Sequence, residues 1–269
     1  MVPCRYAFLS ILLLAACGCV STPEPEPEAA PGPAETAEAA VAAAPDSAQA
    51  QYRYGNVLFD LGRFAEAAEA YKAATRLEPD YADAYTNLGL ALRRLGHLDD
   101  AAEAYAQALQ LQPDDLITLR NRKALAEAMN DSEGYADCVR RLAALLPEDV
   151  AVQREFADLL LAEEDYARAA ALYEGVALAG LSDPDLFYNL GLCHFRLDRF
   201  DAAEAAWKKA VQEDVRHAAA NRGLAVLYWT TGDYTEAWAV VSRCRQLDIG
   251  LDRDFLEMLR QDSGKQTAL

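Results

Sequence analysis

Cys193 and His194 are the one place in the sequence where a nucleophile and a base stand side by side. On a helix, adjacent side chains point about 100° apart, so the pair cannot easily share a proton. No HExxH, GxSxG, P-loop or GxGxxG pattern is present. The three histidines, His97, His194 and His217, are too dispersed for a metal cluster. Cys138, Cys193 and Cys244 lie in the body of the chain as an odd number without CxxC spacing, which disfavours a disulfide framework or a zinc site. No catalytic residue, cofactor or metal is expected, and binding is left as the chemistry to look for.

The elements that carry these residues follow from composition. Of 269 residues 55 are alanine, and 25 Lys+Arg stand against 43 Asp+Glu for a formal charge of −18. Alanine favours helix and buries little area, which points to closely packed helices and excludes a β-rich fold. The acidic balance argues against nucleic acid as a partner, because phosphate neutralisation needs Lys and Arg in excess.

Arg5 is followed by an apolar run, Tyr6 to Ala16, too short for a permanent membrane span. Its end, Leu14-Ala15-Ala16-Cys17, resembles the bacterial lipobox. That resemblance implies a signal peptide at 1–16, cleavage before Cys17 and lipidation of Cys17, so that acyl chains hold the protein on a membrane. Gly18, rather than Asp, follows Cys17, which by the same resemblance favours the outer membrane facing the periplasm. Residues 17–47 form a Pro/Ala/Glu-rich stretch: Val20 to Ser47 holds six Pro, six acidic residues and no Lys or Arg. Such a segment is expected to be a disordered tether, at most partly helical in its Ala-Glu portion.

From Ala48 the sequence repeats with a period of 34 residues, in blocks 48–81, 82–115, 116–149, 150–183, 184–217 and 218–251. Columns seven and eight hold Tyr54-Gly55, Leu88-Gly89, Phe156-Ala157, Leu190-Gly191 and Leu224-Ala225. Column twenty holds Ala67, Ala101, Ala169, Ala203 and Ala237, and column twenty-four Tyr71, Tyr105, Tyr173, Trp207 and Val241. This pattern resembles the tetratricopeptide repeat (TPR) family, and the resemblance covers almost all of the chain after the tether. It implies an all-α fold, a right-handed superhelix or α-solenoid of six helix-turn-helix repeats. Residues 252–269 complete it, with Phe255, Met258 and Leu259 at helical spacing on a capping helix and a fraying tail.

Column fifteen should end each first helix, with Gly62, Gly96, Gly232 and Asn130 suited to a left-handed cap and Glu164 and Asp198 poorer at it. Asp183-Pro184 places an N-cap before a Pro at the first helical position. The third repeat has Arg122-Lys123 where Leu-Gly belongs and Tyr135 where a small residue belongs. A three-residue shift would restore the columns, which predicts a first helix about one turn longer and a shortened second helix.

The resemblance also implies that columns two, five, nine, twelve and thirteen line the concave groove. They hold Arg93, Arg94, Arg120, Arg154, Arg196 and Arg222 against Asp60, Asp83, Glu127, Asp158 and Asp185, a nearly neutral face on an acidic body. Arginine binds carboxylates in bidentate fashion, and Arg with exposed aromatics is a composition enriched at hot spots. Tyr52, Phe59, Tyr188, Phe195 and Trp229 fall in the same columns. Asn87 and Asn189, with Asn121, occupy column six, and Asn56 column nine, where relatives use asparagine to bond the backbone of an extended peptide. The candidate groove residues are therefore Asn56, Asn87, Arg94, Arg154, Tyr188, Asn189, Arg196, Arg222 and Trp229. The expected function is a non-enzymatic, membrane-anchored envelope scaffold for a protein or peptide partner, its oligomeric state open. A pilotin-like factor for an outer-membrane secretin in type IV pilus assembly and an adaptor for peptidoglycan hydrolases or envelope proteases are the alternatives.

Overall fold

The computed structural model describes residues 32–264. The expected signal segment, Cys17 and the first part of the tether lie outside the described residues. Among the described residues there are fourteen helices and no strand, and no helix is long and apolar enough to cross a membrane.

The first, α1 (Pro33–Ala43), falls inside the stretch expected to be disordered. Pro33 sits at the first helical position, and Gly32 N–H donates to the Glu35 carboxylate at 3.0 Å. The alanines that follow have the highest helix propensity. The helix then lies along α2 (Ala48–Asp60), with Thr36, Ala37 and Ala40 facing Ala50, Arg53 and Val57 across a shallow groove. Absence of a core was the reason to expect disorder; contact with α2 supplies a surface that the segment lacks alone.

Twelve helices form the six repeats: α2 with α3 (Phe64–Leu77), α4 (Ala82–Leu95) with α5 (Leu98–Leu111), α6 (Leu116–Met129) with α7 (Ser132–Leu145), α8 (Val150–Ala162) with α9 (Tyr166–Leu178), α10 (Pro184–Arg196) with α11 (Phe200–Glu213), and α12 (Ala218–Thr230) with α13 (Tyr234–Gln246). A final helix, α14 (Arg253–Ser263), closes the stack with Phe255 and Leu259 buried. The turns obey local chemistry. All six residues in column fifteen have positive φ, from Gly62 at 76° to Gly232 at 82°, including Asn130 at 55°, Glu164 at 62° and Asp198 at 56°. Ser47, Asp115, Asp149 and Asp183 each accept hydrogen bonds from the first-turn amides of the helix that follows.

Column eight is small because column twenty-four is large. A Cβ on Gly55 would stand 2.6 Å from the Tyr71 ring, and one on Gly89 2.7 Å from Tyr105, both inside van der Waals contact. The third repeat keeps the common register, against the expected long first helix and short second helix: α6 and α7 are fourteen residues each, in phase with their neighbours. Arg122 and Lys123 are accommodated by substitution elsewhere rather than by a shift. Val139 replaces the aromatic ring of column twenty-four and leaves room for the Lys123 stem, whose ammonium reaches Glu155 of the next repeat at 2.5 Å. Arg122 pairs with Asp131 at 3.2 Å.

Candidate functional site

The first helices of the repeats carry a ladder of polar groups along the face expected to line the groove. In the first rung Tyr71 donates its hydroxyl to Asn56 Oδ1 at 2.8 Å, and Asn87 Nδ2 donates to the same oxygen at 2.9 Å and to the Tyr52 hydroxyl at 3.1 Å. The fourth rung repeats the design with a carboxylate: Tyr173 donates to Asp158 Oδ1 at 2.5 Å, and Asn189 Nδ2 lies 3.3 Å from the same atom. Burial and the neighbouring Asp158 push the Tyr173 hydroxyl well above the usual phenol range, so it stays a donor. In the second repeat Leu90 occupies the acceptor's column, and the buried Tyr105 hydroxyl has no partner among the described residues. Burial pushes that phenol up to about 12 against the opposing field of Arg93. Asn56, Asn87 and Asn189 thus serve first to join repeats.

Around the fourth rung a concavity of about 690 Å³ crosses repeats four to six, lined by Arg154, Asp158, Leu161, Asp185, Tyr188, Asn189 and His217 among others. Three of the nine candidate residues, Arg154, Tyr188 and Asn189, converge there; the other six do not. Arg154 is held by the Asp183 carboxylate that caps α10 and faces Asp158 at 3.9 Å. Arg196 stacks over the Tyr166 ring at 5.5 Å, and Arg94 lies 5.9 Å from the Phe64 ring centroid. Arg222 donates to the Gly250 carbonyl at 2.9 Å. Trp229 meets Phe255 edge-on at 6.1 Å and donates to Asp262 at 2.8 Å, so the capping helix occupies it. The arginines expected to arm the groove are largely spent on the protein itself.

His217 is a groove residue that the column pattern did not single out. Its Nδ1 accepts from Ala220 N–H at 3.0 Å as the cap of α12, its Nε2 bonds Asp185 at 2.9 Å, and Tyr188 lies 5.6 Å away across the rings. Histidine is not among the residues that mark an N-cap, and His97 stands directly before α5 without capping it, so the sequence carries no signal for this role. The ladder does have a signal in the sequence, the fifteen-residue spacing of Asn56 to Tyr71 and of Asp158 to Tyr173. What the site offers is hydrogen bonding with spare capacity: the Asn189 carbonyl oxygen, the Tyr188 hydroxyl and the second Asp185 oxygen.

Cys193 and His194 do not form a dyad. The His194 Nε2 lies 3.3 Å from Glu174, and burial pushes the Cys193 thiol up to about 11, away from the reactive thiolate.

Comparison with known proteins gives a consistent picture. Residues 55–96 match the family described as TPR repeat, and residues 82–115, 154–214 and 196–249 match those described as tetratricopeptide repeat. No curated protein matches the chain in sequence. Among solved structures it is similar to YrrB, a TPR protein with an unusual peptide-binding site, at TM-score 0.55 and 19% identity over 70% of this chain and 96% of that one. It also resembles Naa15/Naa10 bound to HypK-THB, at TM-score 0.65 and 16% identity over 87% of this chain and 36% of that one. MamA AMB-1 matches at TM-score 0.52 and 20% identity, over 65% of this chain and 96% of its own.

Proposed function

The chain belongs to the tetratricopeptide repeat family, a fold that binds protein or peptide partners, and from that premise we propose a non-enzymatic scaffold that holds an extended segment of a partner protein. The occupied face is the groove of repeats four to six, and the anchor is a lipid on Cys17. The observation that carries the reading is the concavity of about 690 Å³, where the ladder fixes Asn189 and Asp158 and leaves the Tyr188 hydroxyl and the Asn189 side-chain carbonyl without a hydrogen bond among the described residues. An extended strand offers N–H and C=O groups on alternate edges, and side-chain amides and hydroxyls satisfy them without demanding a particular sequence. The peptide-binding site described for YrrB supports the use of this fold for that purpose. The Leu14-Ala15-Ala16-Cys17 run supports placement in the bacterial envelope, at the periplasmic face of the outer membrane.

Crosslinking pull-down from membranes tests the groove, comparing wild type with Tyr188→Ala/Asn189→Ala. The double variant is expected to lose the partners that wild type recovers. Retention of every partner would sink the groove reading. Palmitate labelling that is abolished by Cys17→Ser is expected for the anchor, and labelling that survives the substitution would overturn it.

A further inference from the structure

Beside the groove, a second cavity of about 370 Å³ opens at the junction of repeats three and four and shares Asp158 and Ala162 with it. Its walls are apolar: Ala126, Leu159, Ala162 and the half-buried ring of Tyr135. Tyr135 stands in column twenty, where the other five repeats have alanine. Carboxylates line the rim, and they are unequally neutralised. Asp131 is paired with Arg122 at 3.2 Å and Glu155 with Lys123 at 2.5 Å. Asp158 uses Oδ1 within the ladder, and its Oδ2 faces Arg154 only at 3.9 Å. The Glu127 carboxylate is exposed and makes no hydrogen bond or ion pair among the described residues. Burial first, then the fields of Glu155, Glu127 and Asp158, raise the Tyr135 hydroxyl above its ordinary value.

We propose that this cavity receives a cationic side chain, Lys or Arg, from the extended segment bound in the adjoining groove. The inference rests on the groove reading above and names the residue class that the groove selects. A Lys or Arg has an apolar stem that fits the walls formed by Leu159 and Ala126, and a charged head that reaches the rim. There it meets Glu127 and Asp158 and lies against the Tyr135 ring face, a cation–π arrangement that neither an apolar nor an acidic side chain can reproduce. An acidic side chain would add a like charge to an under-neutralised rim, and an apolar one would cover the Glu127 carboxylate without pairing it.

The test uses the full-length chain in detergent micelles and pools of short acetylated, amidated peptides. Each pool carries Lys, Arg, norleucine or Glu at one fixed position in an otherwise degenerate background. Fluorescence anisotropy is expected to rank the Lys and Arg pools about fivefold or more above the norleucine pool, with the Glu pool weakest. Glu127→Gln/Asp158→Asn should erase that preference. Asn at 158 copies Asn56 of the first rung, so the ladder persists and folding is not at issue. Tyr135→Ala, which restores the residue found in the other repeats, should reduce the preference while groove binding remains. Equal binding of the four pools, or a Lys and Arg preference that survives Glu127→Gln/Asp158→Asn, would overturn the cation subsite and leave the groove intact. Failure of every pool to bind wild type would overturn both readings.

Discussion

Glu164 and Asp198 hold left-handed backbone at 62° and 56°, where the equivalent residues of three other repeats are glycine. A non-glycine side chain is strained there, and the helix-to-helix turn forces it to stay. Glu164→Gly and Asp198→Gly are each expected to raise stability by about 0.5–1 kcal/mol, read as a shift of the urea midpoint at unchanged slope. A lower midpoint would show that these side chains stabilise the turn in some other way. His194 makes a second case. It is 6% exposed, its Nδ1 has no partner, and burial lowers its pKa from 6.5 despite the nearby Glu174. In the unfolded chain the imidazole takes up its proton near pH 6.5, whereas in the folded chain it does so only at lower pH. The unfolded state therefore binds more protons as pH falls below 6.5, and stability declines through that window down to the folded pKa. His194→Leu, the residue that column eleven carries in the first repeat, should flatten this part of the stability profile, as measured by denaturation at a series of pH values.

At the level of helices, the ladder explains what the sequence showed and what it hid. Caps, turn residues and the small-against-large rule of columns eight and twenty-four were legible, because each depends on a residue type at fixed spacing. Repeat three departs from its expected register for the same reason. Arg122-Lys123 reads as a break in register, whereas the compensation lies in Val139 and in Glu155 of the following repeat, a pairing that local spacing cannot display. The columns name candidate groove residues, but which of them are free depends on partners one repeat away: Asp183 for Arg154, Gly250 for Arg222, Asp262 for Trp229. The second rung turns this into a prediction. Tyr105 has a buried hydroxyl without an acceptor because column nine holds Leu90. Leu90→Asn copies the first rung and should give Tyr105 and Asn121 their missing partner, adding about 1 kcal/mol to stability. In the Tyr105→Phe background the same change should add nothing, so the coupling in a double-mutant cycle is the measurement that decides.

At the scale of the whole stack, the buried residues among those described fall into three clusters rather than one. One cluster runs from Ala157 to Leu259 and unites repeats four to six with the capping helix, another runs from Leu58 to Leu125, and a small one from Leu109 to Val152 lies between them. The division falls at the third repeat, where Val139 stands in place of a ring. There the joint to repeat four has a thin apolar seam, Val152 and Phe156 against Cys138, Leu142 and Ala143, supplemented by polar contacts of Lys123 with Glu155, Arg140 with Glu163, and the Gln153 amide with the carbonyls of Ala143 and Leu146. In a stack of repeats, stability is the sum of each unit and its interfaces, so a weak interface separates cooperative blocks. Repeats one to three should therefore exchange their amide protons as one unit and repeats four to six as another, with the larger C-terminal cluster opening last in urea. The joint is also the place where the chain can be made to behave as one. Lys123→Gly with Val139→Tyr restores the glycine-against-tyrosine pair of the first and second repeats and extends the apolar contact across the gap. The double variant should strengthen the junction by about 1–2 kcal/mol and draw the two exchange units toward a single transition. If wild type already exchanges as one unit from α2 to α14, the weak joint does not exist. If two units persist unchanged in the variant, the joint is limited by something other than its missing ring.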